Sequence, residues 1–365
     1  MIVRSRAPVR IDFAGGTTDL SPFRDREGGA VLNATITRYA YCTLRSLPNG
    51  HVRITSEDLQ RFVEAQHIRE LEFDGNLDLL KAAVKALGIP GGFDITVRSD
   101  APPGSGTGSS ASVGVALIGM LDLLRQDNGG SRRLSRYEIA DLASELESQL
   151  GIVGGKQDQY AAALGGVNFI RFFGEGRVSV ERLSLPPEML YEMEKHLVLC
   201  YSGESRLSGD TNRLMIEAYE RDDPRVCSAL REVKRAAEAM YGALLAGDLQ
   251  SFGELLEAET AARVKLCEGV MTGQMARLRA AAMDAGAIGG KICGAGGGGC
   301  QLFFCAPDTE TRVRRALTSA GGRILDFAFD HEGLQVWRAP QQRTDRKPST
   351  TAPPAARLHQ PPRQT

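Results

Sequence analysis

The stretch PPGSGTGSSAS, Pro102 to Ser112, holds so much glycine and serine that it can neither fill a core nor form the interior of a strand or helix, because glycine loses the most backbone entropy on ordering. Before it, FDITVRSDA sets Phe93, Ile95 and Val97 in alternation with polar residues, the period of a half-buried strand. After it, VGVALIGMLDLLR is apolar at helical spacing from Val113 to Leu124. The unit reads as strand, glycine loop, helix. A helix N-terminus offers backbone N–H groups without intrahelical partners and the positive end of a dipole, and small residues let a phosphate approach closely. The loop is therefore expected to cradle phosphate. Taken alone it reads equally as a Gly/Ser linker or a plain helix cap. It lacks the Gly-Lys-Ser/Thr ending of a P-loop, and Gly104, Gly106 and Gly108 do not make the dinucleotide fingerprint.

Outward from this unit, the first hundred residues are rich in strand patterns. VRSRAPVRIDFAGGTTDL starts strand-like and breaks at Gly15 and Gly16, and GAVLNATITRYAYCTLRSL and GHVRITSE alternate. NLDLLKAAVKALGI is helical, as is SRYEIADLASELESQLG, whose Ile139, Leu142, Leu146 and Leu150 share a face. GIVGGKQDQYAAALGGVNFIRF then reads as loop, short helix and strand. The pattern restarts near residue 190 with the strand HLVLCYSG, long helical runs over residues 225–260, and a second glycine cluster, GAIGGKICGAGGGGCQLFFCA, feeding a strand at Cys300 to Cys305. The expected division is 1–188, 189–338 and a disordered tail at 339–365, rich in Pro, Gln, Thr and Arg.

At 365 residues the chain can build one large or two moderate domains. A net charge of -1 leaves no global basic field, which argues against nucleic acid or an anionic membrane as main partner. No stretch approaches the roughly 20 apolar residues of a spanning helix, and no secretory leader opens the chain, so a cytoplasmic location is expected. The seven cysteines are scattered without CxxC or His/Cys ligand spacing, so small buried hydrophobes are their expected role.

Three motifs stand in order: APVRIDFAGGTTDL (residues 7–20), PPGSGTGSSAS (102–112) and KICGAGGGGC (291–300). Together they resemble the GHMP family of small-molecule kinases, over nearly the whole chain up to about residue 338. RIDFAGGTTDL, GGAVLNATI, GGKQDQYAAALGG and YSGESRLS look most like the D-glycero-D-manno-heptose 7-phosphate kinase branch. The resemblance implies an α+β fold of two domains, the N-terminal one like ribosomal protein S5 domain 2 and the C-terminal one ferredoxin-like, with the active site in the cleft between them. It also implies ATP and Mg2+ as cofactors, a small-molecule sugar phosphate as partner, and a monomer or homodimer.

The resemblance further implies roles for single residues. Pro103, Gly104, Ser105, Gly106, Thr107, Gly108, Ser109 and Ser110 would wrap the ATP phosphates, with Gly296 and Gly297 of the third motif closing the site beside them. Ser110 and a glutamate on the preceding helix would hold Mg2+, which takes few protein oxygens. Glu147, eleven residues before Asp158, is preferred over Glu145, which lies on a different helix face. Asp158 would take the hydroxyl proton or orient the nucleophile. Arg10, in the place of the arginine of the galactokinase Pro-Gly-Arg opening, and Lys156 would stabilise charge near it, unless either makes only a structural ion pair. Asp12, Gly15, Gly16, Thr17, Thr18 and Asp19 would meet the sugar. Galactokinases carry a Glu-His pair where Gly16 and Thr17 stand here, which disfavours galactose. Arg206 is the expected partner of the sugar's own phosphate, with Arg24 and Arg26 behind it.

The implied function is phosphorylation of the anomeric hydroxyl of heptose 7-phosphate for nucleotide-activated sugar synthesis. An octose 8-phosphate kinase of a secondary-metabolite pathway, an L-fucose-type kinase and a mevalonate-type kinase are alternatives within enzymes. A non-catalytic sugar or nucleotide sensor is the alternative outside them.

Overall fold

The computed structural model describes residues 1–340 except 49, 90, 91, 128, 130, 131, 206 and 207. The first half is built on β1 (Ile2–Ala14), α1 (Phe23–Glu27), β2 (Gly29–Ser46), β3 (Val52–Ser56), β4 (Arg61–Ala65), α2 (Asp78–Ala86) and β5 (Phe93–Ser99). After them come α3 (Ser109–Asp127), α4 (Arg136–Gln149), α5 (Gln157–Leu164), β6 (Val167–Phe172) and β7 (Val178–Arg182). The long β2 is the spine of the sheet. It pairs with β1 along its length, with β5 through residues 40–46 and with β6 through residues 29–34. β3 joins β5 in parallel and β4 closes that edge. The patterns read from sequence land on the longer of these elements; the short α1, β4 and β7 are the ones they missed.

Helix α3 follows the glycine loop as expected and is buried from Ala111 to Leu124 save Val113. A helix covered almost all round needs no polar face, so its even apolar composition reflects its central place. Ser112 Oγ donates to the Pro8 carbonyl (2.9 Å) and Ser5 Oγ to the Ala116 carbonyl (2.7 Å), which fixes α3 on β1. Helix α4 begins with a capping box, Ser135 accepting from the Glu138 N–H and the Glu138 side chain accepting from the Ser135 N–H.

The second half comprises α6 (Pro187–His196), β8 (Leu197–Tyr201), α7 (Ser208–Glu220), α8 (Pro224–Ala246), α9 (Leu249–Arg263) and α10 (Gly273–Asp284), then β9 (Ala287–Ile292), β10 (Cys300–Cys305), α11 (Glu310–Ser319), β11 (Arg323–Ile324) and β12 (Gln335–Arg338). The helical run over 225–260 is two helices, broken at Gly247, whose φ of +73° ends α8. Strands β8 to β11 form an antiparallel sheet in the order β11-β8-β10-β9. Numbered within that half this is 4-1-3-2, the ferredoxin-like arrangement. The fold is α+β with the two expected halves.

The expected assignment of all of 189–338 to the second half needs a correction. Strand β12 returns to the first sheet and pairs with β1, Val3 opposite Arg338 through Arg6 opposite Gln335. Nor do the halves have wholly separate cores. A register shift between Pro8 and Val9 re-aims β1. Before it, Val3 and Ala7 pack with α3 residues, whereas Val9, Ile11 and Phe13 pack with Leu199, Phe252 and Phe304 of the second half. That shared core fixes the two halves against each other behind the cleft. No described helix is long and apolar enough to cross a membrane.

Candidate active site

A cleft of about 840 Å³ opens between the halves. One wall is the glycine loop. A side chain at Gly106 would lie 2.4 Å from the Cys293 carbonyl, and one at Gly108 would lie 2.9 Å from the Asp158 carboxylate. The two glycines therefore let the first motif touch both the third motif and an acidic side chain. Backbone bonds secure these contacts: the Cys300 N–H donates to the Ser105 carbonyl (2.8 Å) and the Arg10 N–H to the Thr107 carbonyl (3.0 Å). The loop is a built wall, and the linker reading fails.

Asp158, in the first turn of α5, faces this loop. Arg10 reaches it with Nε (2.8 Å) and Nη2 (2.7 Å) and gives Nη1 to the Gly106 carbonyl. Burial pushes the Asp158 carboxyl above its ordinary value, while Arg10 pulls it down. A carboxylate raised in this way is the better proton acceptor, and the Arg10 fork fixes its orientation.

Glu147, on α4, lies behind the start of α3. Its Oε1 is 3.5 Å from Ser110 Oγ, and its Oε2 accepts from Gln159 Nε2 at 2.7 Å. Burial, with the Asp158 charge, pushes its carboxyl up to about 7. Glu145 is exposed on the outer face of the same helix and bonds Gln149. The helix period thus separates the two glutamates and puts Glu147 inward.

Asp19 forms part of the opposite wall. It accepts from the Gln157 N–H at 3.0 Å, and burial pushes its carboxyl up to about 6. Gly155 is required beside it, since a side chain there would meet an Asp19 oxygen at 1.8 Å. The GGKQDQ segment therefore serves both sides: Gly155 and Gln157 seat Asp19, Asp158 faces the glycine loop, and Gln159 holds Glu147.

The model of the GHMP kinase N-terminal domain matches residues 77–166 and that of the C-terminal domain residues 240–323. The chain is 34% identical over 346 residues to the D-glycero-alpha-D-manno-heptose 7-phosphate kinase of Campylobacter jejuni, covering 92% of this chain and 99% of that one. It belongs to the GHMP kinases. A D-glycero-D-manno-heptose 1-phosphate kinase from Bacteriodes thetaiotaomicron superposes with a TM-score of 0.75 at 32% identity, over 93% of this chain and 99% of that one. Galactokinase of Lactococcus lactis, solved with galactose, shares the fold at a TM-score of 0.73 and 22% identity, over 92% and 95%. This GHMP kinase is an enzyme, a phosphotransferase with an alcohol group as acceptor.

Several residues expected at the ligands stand elsewhere in this kinase. Asp12 is fully buried behind the wall, with Oδ2 3.1 Å from Lys291 Nζ. Thr18 is buried, and its hydroxyl donates to the Gly15 carbonyl and accepts from the Ala30 N–H. Gly15 lies outside the lining with it. Lys156 turns outward to Asp141 at 3.8 Å, the structural ion pair weighed against a catalytic role. Thr107 is buried against Ser105, and Pro103 is exposed outside the cleft. Gly296 and Gly297 pack on Val270, so Gly294 and Ala295 present the third motif to the cleft.

Arg206 lies outside the described residues. Arg24 bonds the Asp19 carbonyl, and Arg26 covers the Tyr219 ring; neither lines the cleft. The sequence reading missed Gln159, although it quoted the motif containing it. It also missed Asn212 and Arg213 of α7, which line the cleft but lie in a helix whose pattern carries no motif.

Proposed function

We propose that this kinase transfers the terminal phosphoryl group of ATP to the anomeric hydroxyl of a sugar phosphate, D-glycero-D-manno-heptose 7-phosphate. Asp158 carries the reading: a carboxylate raised by burial and oriented by Arg10 lies against the glycine loop. The anomeric O–H gives its proton to Asp158 as its oxygen attacks the γ-phosphorus, and the bond from that phosphorus to the β-phosphate oxygen breaks to release ADP. Loop N–H groups at the start of α3, together with Arg10, meet the charge on the transferring oxygens. The name of the Campylobacter protein puts the phosphate at position 7 of a manno-heptose, which leaves the anomeric hydroxyl free, whereas that of the Bacteriodes protein puts it at position 1 and supports only the heptose phosphate class.

Ser110 Oγ and Glu147 would hold Mg2+. Two hard oxygen donors, with no cluster of three ligating acidic, His or Cys side chains among the described residues, suit an ion that keeps waters and phosphate oxygens. Bound there, the ion supplies charge neutralisation to the phosphates.

The sugar's own phosphate needs a cation. Among the described residues lining the cleft the cationic side chains are Arg10 and Arg213. Arg10 is engaged by Asp158 and the Gly106 carbonyl, whereas Arg213 is largely exposed and pairs with Asp210 (2.6 Å). Arg213 is therefore the proposed phosphate partner.

The test is incubation of the purified protein with MgATP and heptose 7-phosphate, an octose 8-phosphate, free heptose, L-fucose, galactose or mevalonate, recording ADP and product mass. A heptose 1,7-bisphosphate supports the reading. Turnover of only another acceptor replaces the sugar, and tight binding of ATP without turnover of any acceptor replaces the enzyme with a sensor.

A further inference from the structure

Arg263 closes α9 and is fully buried. Its guanidinium has five N–H donors, and all three nitrogens are engaged. Nε is shared between Glu259 Oε1 (3.0 Å) and Oε2 (3.3 Å), and Nη2 donates to Oε1 (2.6 Å) and to the Gly16 carbonyl (2.7 Å). Nη1 donates to Thr17 Oγ1 and to the Gly294 carbonyl, both at 3.1 Å. Glu259, one turn earlier on α9, anchors the head of the side chain. The remaining three bonds go to two opposed pieces of the cleft.

Gly16 and Thr17 belong to the wall that carries Asp19, and Gly294 belongs to the wall that rests on the Gly106 loop. Thr17 has a φ of +80°, a left-handed conformation that is unfavourable for a residue with a side chain. The bonds from Arg263 to the Gly16 carbonyl and the Thr17 hydroxyl hold that conformation. An interior ion pair between the halves would need only Asp12, 4.0 Å from Nη2; the bonds to Gly16, Thr17 and Gly294 are additional and all end at the cleft.

We infer that Arg263 is a positioning residue that sets the separation between the acceptor-facing turn at Gly16–Thr17 and the phosphate-facing turn at Gly294. This rests on the kinase reading above, since that separation is what brings acceptor oxygen and phosphorus into line. Misplacement by about an ångström from a residue remote from the chemistry costs on the order of 10²-fold in rate. Lysine keeps the charge but has three donors on a point charge, so it cannot span Glu259 and both turns.

The test compares Arg263→Lys with Leu278→Ala, a core substitution on α10 remote from the cleft, as a control for lost stability. Arg263→Lys is expected to lower kcat about 10²-fold with the KM of ATP and acceptor within about threefold, while Leu278→Ala lowers Tm and leaves kcat unchanged. A kcat for Arg263→Lys within threefold of the parent enzyme, or a loss matched by Leu278→Ala, overturns the inference. The assay uses whichever acceptor supports turnover, so the sugar's identity bears on the function and the kcat ratio on Arg263. A crystal structure of Arg263→Lys needs no acceptor: Gly16 and Gly294 are expected to part, and unchanged spacing overturns the inference. Should that variant fail to fold, Glu259→Gln keeps the guanidinium and frees its anchor; a several-fold fall in kcat is expected, and an unchanged kcat overturns the inference.

Discussion

Arg10 and Asp12 lie two residues apart on β1, and each belongs to a cluster of opposite charges. The first cluster, Arg10 with Asp158, stands at the edge of the cleft, where the Asp158 side chain keeps 24 % of its exposure. The second, Asp12 with Lys291, Arg263 and Glu259, has no exposure at all. Burial opposes ionisation of both aspartates. For Asp12 the charges of Lys291, Arg263 and Arg10 outweigh it and hold the carboxyl below its ordinary value, whereas for Asp158 burial outweighs Arg10. One carboxylate is therefore locked in its charged form inside the wall, and the other is left able to take a proton. Similar residue types do different work because one cluster is closed by four groups and the other is open to a ligand.

The sharpest way to break this comparison is to neutralise each aspartate in turn. Asp158→Asn is expected to lower kcat about 10³-fold while calorimetric binding of ATP and sugar persists. Turnover within tenfold of the parent enzyme would remove Asp158 as the base. Asp12→Asn is expected to act on stability instead, by roughly 3–5 kcal/mol in urea unfolding, because it leaves buried cations uncompensated. A loss of sugar affinity with unchanged stability would return Asp12 to the ligand.

Arg213→Gln sharpens the contrast at the open side. The KM for heptose 7-phosphate should rise about tenfold, as expected for a lost charge-assisted hydrogen bond, with the KM for ATP and for any turnover of free heptose unchanged. An equal effect on free heptose would place the phosphate elsewhere.

The smallest effect concerns Glu147. With its carboxyl at about 7, protons compete with the metal, so Mn2+ affinity measured by electron paramagnetic resonance should weaken by about tenfold per pH unit below 7 and level off above it. A pH-independent affinity that survives in Glu147→Gln would exclude it as a ligand. The sign for folding is opposite. Without metal the folded chain holds this proton more tightly than the unfolded one, so stability falls as pH rises from 4.5 to about 7.

The parts legible in sequence were those with a local signal. Alternation in residues 29–47 and the apolar run after Ser112 marked β2 and α3, and the order of three glycine motifs marked the family. Helical periodicity also separated Glu147 from Glu145. Asp12 was misread because APVRIDFAGGTTDL carries no sign that Lys291 and Arg263, from the second half of the chain, arrive to close it off. Lys156 was ambiguous for a similar reason: its partner, Asp141, depends on how α4 packs on the start of α5.

By itself the sequence determined the strand, loop and helix units, the two halves and the placing of glycines where two backbones must meet, because these follow from periodicity and steric freedom within a few residues. Only the tertiary structure decided which charges face the ligands and which close the wall, that β12 returns to β1, and that Arg263 reaches both sides of the cleft. A charged side chain's role depends on what desolvates and pairs it, and for Asp12 those partners, Lys291 and Arg263, come from the other half of the chain.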